Sequence, residues 1–136
     1  MNDKIFFDTN VLVYCYTETE PEKKAIAVSL AQSPEAWVST QVLQEMSNTL
    51  RKKFKRDWSD IQETFEEVCQ NFQVFNNQSA HIREAFRIAE RYGFSLYDSL
   101  ILSSSLAVGC SILYSEDMQN GQVIEGTLKV INPFLP

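Results

Sequence analysis

Short apolar runs alternating with helical stretches constrain the fold of this chain more than any other feature of its sequence. Ile5-Phe6-Phe7, Ala36-Trp37-Val38-Ser39, Ser111-Ile112-Leu113-Tyr114 and Leu128-Lys129-Val130-Ile131 have the length of strands. The first is apolar throughout, as a strand covered on both faces must be. Val74-Phe75 is a briefer candidate. Between these runs the period changes. Val42, Leu43, Met46 and Leu50 recur at helical spacing, as do Ile61, Phe65, Val68 and Phe72, and then Ile82, Ala85, Phe86 and Ala89. Asp8-Thr9-Asn10 caps a short helix through Val11-Leu12-Val13-Tyr14. Thr19-Glu20-Pro21-Glu22 opens a helix to about Gln32, and Ser59-Asp60-Ile61-Gln62 and Ser95-Leu96-Tyr97-Asp98 repeat the capping-box spacing. Gly93 and Gly109 are helix stops. Strands alternating with helices make βαβ units, so the expectation is an α/β fold with a mostly parallel sheet and helices on both faces. At 136 residues the chain has material for one domain, residues 1–136.

Charge and rare residues exclude several classes. Twelve Lys and Arg against eighteen Asp and Glu leave a formal net charge of −6, which argues against a protein that grips phosphate backbones through a net positive field. Cys15, Cys69 and Cys110 are far apart and odd in number, which fits a reducing, cytoplasmic setting. The single histidine, His81, argues against a His-based zinc site or a Ser-His-Asp triad and reads as a surface residue. Met1-Asn2-Asp3-Lys4 leads into an apolar stretch too short for a signal peptide. The uncharged run from Ser99 to Ser115 is rich in serine and reads as a buried helix followed by a buried strand, not as a membrane span.

Most of the acids lie on amphipathic helices, where solvation accounts for them. Asp8 and Asp117 instead follow the first strand and the Ile112-Leu113-Tyr114 strand. In open parallel sheets ligands bind beyond the carboxyl ends of the strands, so these two acids can converge although 109 positions separate them. Glu45 sits at the edge of an apolar stripe early in its helix, and Asp98 lies between apolar residues near a helix start. Alone, Asp98 reads equally as a capping acid and Glu45 as a surface acid. Together the four form a cluster. Two carboxylates about 5 Å apart repel by roughly 3 kcal/mol at an effective dielectric near 20, so such a cluster protonates or takes a cation. With oxygen donors alone, that cation is Mg²⁺ or Mn²⁺ rather than zinc.

The ordered set Phe6-Phe7-Asp8-Thr9-Asn10-Val11-Leu12-Val13-Tyr14, Ser39-Thr40-Gln41-Val42-Leu43-Gln44-Glu45, Leu96-Tyr97-Asp98-Ser99-Leu100-Ile101 and Leu113-Tyr114-Ser115-Glu116-Asp117-Met118-Gln119 resembles the PIN-domain ribonucleases. The likeness is greatest to VapC-type toxins of toxin–antitoxin modules. It implies a three-layer α/β/α sandwich and a metal-dependent endoribonuclease, with an RNA substrate, a small antitoxin protein and a homodimer as partners. It carries over Asp8, Glu45, Asp98 and Asp117 as the acidic cluster for Mg²⁺ or Mn²⁺, and Thr9 or Asn10 and Ser115 as residues that orient it. Two departures stand out. Met118-Gln119-Asn120 lacks the further acid of many relatives, which puts a second metal in doubt, and Glu116 beside Asp117 ranks second as a ligand.

Arg51-Lys52-Lys53-Phe54-Lys55-Arg56 holds five of the twelve basic residues. It reads either as a rim meeting RNA phosphates or as a solvated helix end. Trp58 and Phe54 can stack on a base or pack inside, and exposed apolar surface on the second and third helices suits a dimer or an antitoxin peptide. Two other classes stay open. One is a non-catalytic PIN-like scaffold for RNA or protein. The other is a haloacid-dehalogenase-like phosphotransferase, which expects a second acid where Asn10 stands.

Overall fold

β1 (Ile5–Phe7) is buried at all three positions because parallel strands satisfy both its edges and side chains cover both its faces. The computed structural model describes residues 3–136; Met1 and Asn2, the start of the N-terminal lead, lie outside them. β2 (Ala36–Ser39) flanks β1 on one side and β4 (Ile112–Tyr114) on the other. β3 (Gln73–Phe75) extends the sheet beyond β2, and β6 (Leu128–Ile131) extends it beyond β4, all in parallel. Among the described residues the sheet has six strands in the order β3-β2-β1-β4-β6-β5, flanked by helices in the three-layer α/β arrangement.

β5 (Val123–Ile124) is the strand that periodicity cannot announce, since two residues show no pattern. It runs antiparallel to β6 through a turn in which Glu125 and Gly126 have φ of 52° and 72°. Glu125 is held in that costly conformation from outside: its carboxylate takes Arg87, Arg91 and Tyr92, and its N–H donates to Tyr92 Oη.

α1 (Thr9–Tyr14) and α2 (Pro21–Leu30) follow β1; α2 stops short of Gln32, whose N–H bonds back to Ser29 in a tighter turn. α3 (Thr40–Lys52) is capped by Ser39, the last residue of β2. α4 (Trp58–Asn71) starts earlier than the Ser59 box implies. Asp57 Oδ1 accepts from Asp60 N at 2.8 Å, and this carboxylate cap displaces the serine. α5 (Ser79–Tyr92) ends on Gly93 in the left-handed region, and His81 Nδ1 accepts from Gln78 N at its start. α6 (Leu96–Val108) and β4 together absorb the long uncharged run. Ser103, Ser104 and Ser105 are buried there, each donating its hydroxyl to a carbonyl. No helix among the described residues is long and apolar enough to cross a membrane. Phe6, Phe7, Leu12, Met46, Leu50, Leu102 and Leu113 fill the core, with Phe7 edge-on to Phe72 and Tyr114.

One polar tie joins the helices that flank the strand ends. Asn77, between β3 and α5, accepts from Thr40 Oγ1 and Gln41 N and donates to Ser104 Oγ, linking α3 to α6. Asn77→Ala removes these three bonds and leaves the Gln41 N–H without a partner, while Ser104 still donates to Leu100 O and Thr40 Oγ1 still accepts from the backbone N–H of residue 77. It is expected to cost about 1–2 kcal/mol, read as a lower urea midpoint at unchanged slope.

Candidate active site

The chain runs from β1 to β2 and β3 on one side and returns to β4 and β6 on the other. The boundary between β1 and β4 is thus a topological switch point, where a crevice opens at the carboxyl ends. Asp8 follows Phe7 at the end of β1 and caps α1, and Asp117 lies just past the end of β4.

Each acid is positioned by a neighbour. Asp8 is buried, with Oδ1 accepting from Thr9 N at 2.7 Å and Oδ2 from Ser115 Oγ at 2.8 Å. Thr9 donates its hydroxyl to Glu45 Oε1 at 2.6 Å, tying the start of α1 to α3. Asn10 Nδ2 donates to Asp117 Oδ2 at 2.8 Å, and the Asp117 N–H donates to Ser115 Oγ at 3.3 Å. Asp98 stands in the first turn of α6, its N–H donating to Ser95 Oγ. Ser115, fully buried behind the cleft, joins Asp8 to the Asp117 turn.

The four acids line one cleft of about 300 Å³, together with Thr9 and Asn10. Asn48, Thr49, Tyr97 and Ile101 complete its walls, none of which the sequence reading assigned to a site. The signal was present for three of them: Asn48 and Thr49 lie one helical turn beyond Glu45, and Ile101 lies one turn beyond Asp98. Tyr97 precedes Asp98 and is exposed.

The electrostatics follow from this crowding. Burial pushes Asp8 up to about 6 from 3.8, its hydrogen bonds from Ser115 and Thr9 pull it down, and the charges of Asp98 and Asp117 push it up again. Asp98 is raised by burial first and then by Asp117. No Lys, Arg or His lines the cleft among the described residues. The donor set therefore fits a hard divalent cation: carboxylates with hydroxyl and amide oxygens, and no sulfur or imidazole. Among the described residues no three acids are drawn tightly enough to hold an ion between them; the carboxylates of Asp8, Glu45 and Asp117 instead hydrogen-bond a neighbour.

The neighbouring sequence features are distributed elsewhere. Glu116 turns away from this cleft, accepts from Tyr14 Oη at 2.7 Å and pairs with Lys23. The residues of the basic hexapeptide make different contacts. Arg51 donates to Arg56 O and lies 4.9 Å from the Trp58 ring, while Arg56 donates to Tyr16 O and pairs with Asp60. Lys52 and Lys55 are exposed, and Lys53 lines a second cavity beside the acidic one.

A family model described as the PIN domain matches residues 5–120. A toxin–antitoxin complex from Klebsiella pneumoniae has the same fold, with a TM-score of 0.71 and 20% identity, covering 96% of this chain and 98% of that one. VapC20 of Mycobacterium tuberculosis, a sarcin-ricin loop cleaving toxin, gives 0.68 at 17% identity over 84% of this chain and 90% of that one. VapBC2 of Rickettsia felis, bound to a promoter DNA fragment, gives 0.66 at 17% identity over 93% and 97%. No curated protein matches the sequence.

Proposed function

The chain belongs to the PIN-domain family, and from that membership we propose that it is a divalent-metal-dependent endoribonuclease, the toxin of a toxin–antitoxin pair acting in the cytoplasm. The observation that carries this reading is the cleft at the β1/β4 switch point, walled by Asp8, Glu45, Asp98 and Asp117 with no cationic side chain among its described lining residues. Asp8, Asp98 and Asp117 are the ligands assigned to Mg²⁺ or Mn²⁺, with Glu45 completing the cluster. When bound, the cation supplies charge neutralisation at a phosphodiester and acidifies a water.

The chain's own side chains do the rest. Thr9 and Ser115 hold Asp8 from two sides, Thr9 also fixes Glu45, and Asn10 fixes Asp117, so the cluster is oriented before substrate arrives. Glu45 Oε2, without a protein donor among the described residues, is the acceptor for the proton of the attacking water. Exposed apolar surface supports protein partners. Trp58 and Phe65 flank a groove with Leu43, and Ile82 and Phe86 lie on α5; a small antitoxin and a second copy of the chain are the occupants in this reading.

Purified protein incubated with RNA tests the proposal. Endonucleolytic fragments are expected with Mn²⁺ or Mg²⁺, and none with EDTA. RNA binding without cleavage under either metal would replace this reading with the non-catalytic scaffold.

A further inference from the structure

A second cavity, of about 440 Å³, opens beside the acidic cleft and shares Asn10 and Thr49 with it. Ligand sites run from about 300 to 1,000 Å³, so it has room for one nucleotide. We infer that it is the subsite for the RNA nucleotide next to the scissile phosphate, with Lys53 on a phosphate and Tyr14 and Phe54 against the base. This rests on the nuclease reading and adds to it a place for the substrate.

Three observations support the assignment. The first is the placement of cations: of the basic hexapeptide only Lys53 lines this cavity, its ammonium 5.6 Å from the centre of the Phe54 ring and in no ion pair among the described residues. Arg51 and Arg56 are engaged elsewhere in the fold. The second is the neutralisation of the cavity's inner acid. Glu116 accepts from Tyr14 Oη at 2.7 Å and pairs with Lys23, so its charge is already matched by a neighbour. The other carboxylate in the walls, Glu20, is exposed where α2 begins. The third is the apolar wall. Tyr14 and Phe54 are half-buried, and unpaired RNA bases bind by stacking on such rings while lysine meets the backbone. The acidic cleft alone would repel an RNA strand, and a cation one nucleotide away offsets that repulsion.

Binding of a short fluorescein-labelled single-stranded RNA of mixed sequence, measured by anisotropy, tests the inference. The parent is the full chain carrying Asp8→Asn, so that the probe stays intact. Lys53→Glu is expected to weaken binding about tenfold and to lower the salt slope by about one, as loss of one phosphate contact does. Lys53→Arg is expected to stay within about threefold of the parent. Lys129→Glu makes the same charge change at the opposite end of the sheet, where Lys129 pairs with Ile112, and is expected to change binding less than twofold. In the catalytically intact chain Lys53→Glu is expected to raise KM and leave kcat within about threefold. Equal losses for Lys53→Glu and Lys129→Glu, or no loss for either, overturn the subsite. Absence of metal-dependent cleavage by the unmodified chain, with Lys53-dependent binding retained, overturns the nuclease reading while leaving the RNA contact.

Discussion

Asp8→Asn is expected to abolish metal-dependent RNA cleavage, by at least about a hundredfold, while making the metal-free fold more stable at neutral pH. The two effects have one cause. Asp8 is buried, and burial is the largest influence on it, raising its pKa from 3.8 to about 6 against the pull of Ser115 and Thr9. The native state thus binds this proton more tightly than the unfolded chain does. Its contribution to stability is present below about pH 4 and is lost as pH rises through 6, a change of about 3 kcal/mol for a shift of this size. Asparagine has nearly the same shape and no charge at any of these pH values. Urea unfolding in EDTA is expected to show the wild-type chain losing stability between pH 4.5 and 7.5 relative to the variant, and the variant more stable at the upper pH. Mn²⁺ at neutral pH should reverse the order, since a ligand that binds only the native state stabilises it. A variant less stable than wild type at pH 7.5 in EDTA would show that the hydrogen bonds of the carboxylate outweigh its desolvation.

That trade is visible only in part from the sequence. The position of Asp8 at the end of an apolar strand was legible, and so was that of Asp117, because the rule that parallel sheets bind at their carboxyl ends needs only strand assignments. Glu45 and Asp98 were legible as acids at apolar stripe edges. The resemblance also named Thr9 or Asn10 and Ser115 as orienting residues, but not which acid each one serves. That Thr9 serves Glu45 and Asn10 serves Asp117 depends on α3 and the β4 turn meeting the start of α1, and contacts between segments so far apart in the chain leave no local pattern. The same limit hid Tyr97, whereas Asn48, Thr49 and Ile101 could be read from helical spacing to Glu45 and Asp98. β5 was missed for a different reason, since its two residues, paired antiparallel to β6, are too few to show a period. Net charge was the least informative quantity. A total of −6 is compatible with an acidic metal cleft beside a cavity lined by Lys53, because these charges act locally within a Debye length of roughly 10 Å.

Ser115→Ala is expected to weaken Mn²⁺ binding ten- to a hundredfold and to destabilise the fold by about 2–3 kcal/mol. Ser115 is wholly buried, and its one hydroxyl serves three partners. It donates to Asp8 Oδ2 at 2.8 Å and accepts from the Asp117 and Met118 N–H groups at 3.3 and 3.2 Å. Alanine leaves a carboxylate oxygen and two amides short of partners, which accounts for the loss of stability. The functional loss is separable from it. Ser115 is the strongest of the influences that hold Asp8 down, so without it the carboxyl titrates at higher pH and protons compete better with the cation. Titration calorimetry across pH should therefore show the lower limit of Mn²⁺ binding moving upward in the variant, at temperatures where both proteins are folded. Asn77→Ala supplies the comparison, because it also destabilises the chain but touches none of the four acids. If both variants lose stability and neither moves the pH limit of metal binding, Ser115 serves only the fold. If Ser115→Ala alone moves it, the hydroxyl sets the charge of Asp8 and orients the site.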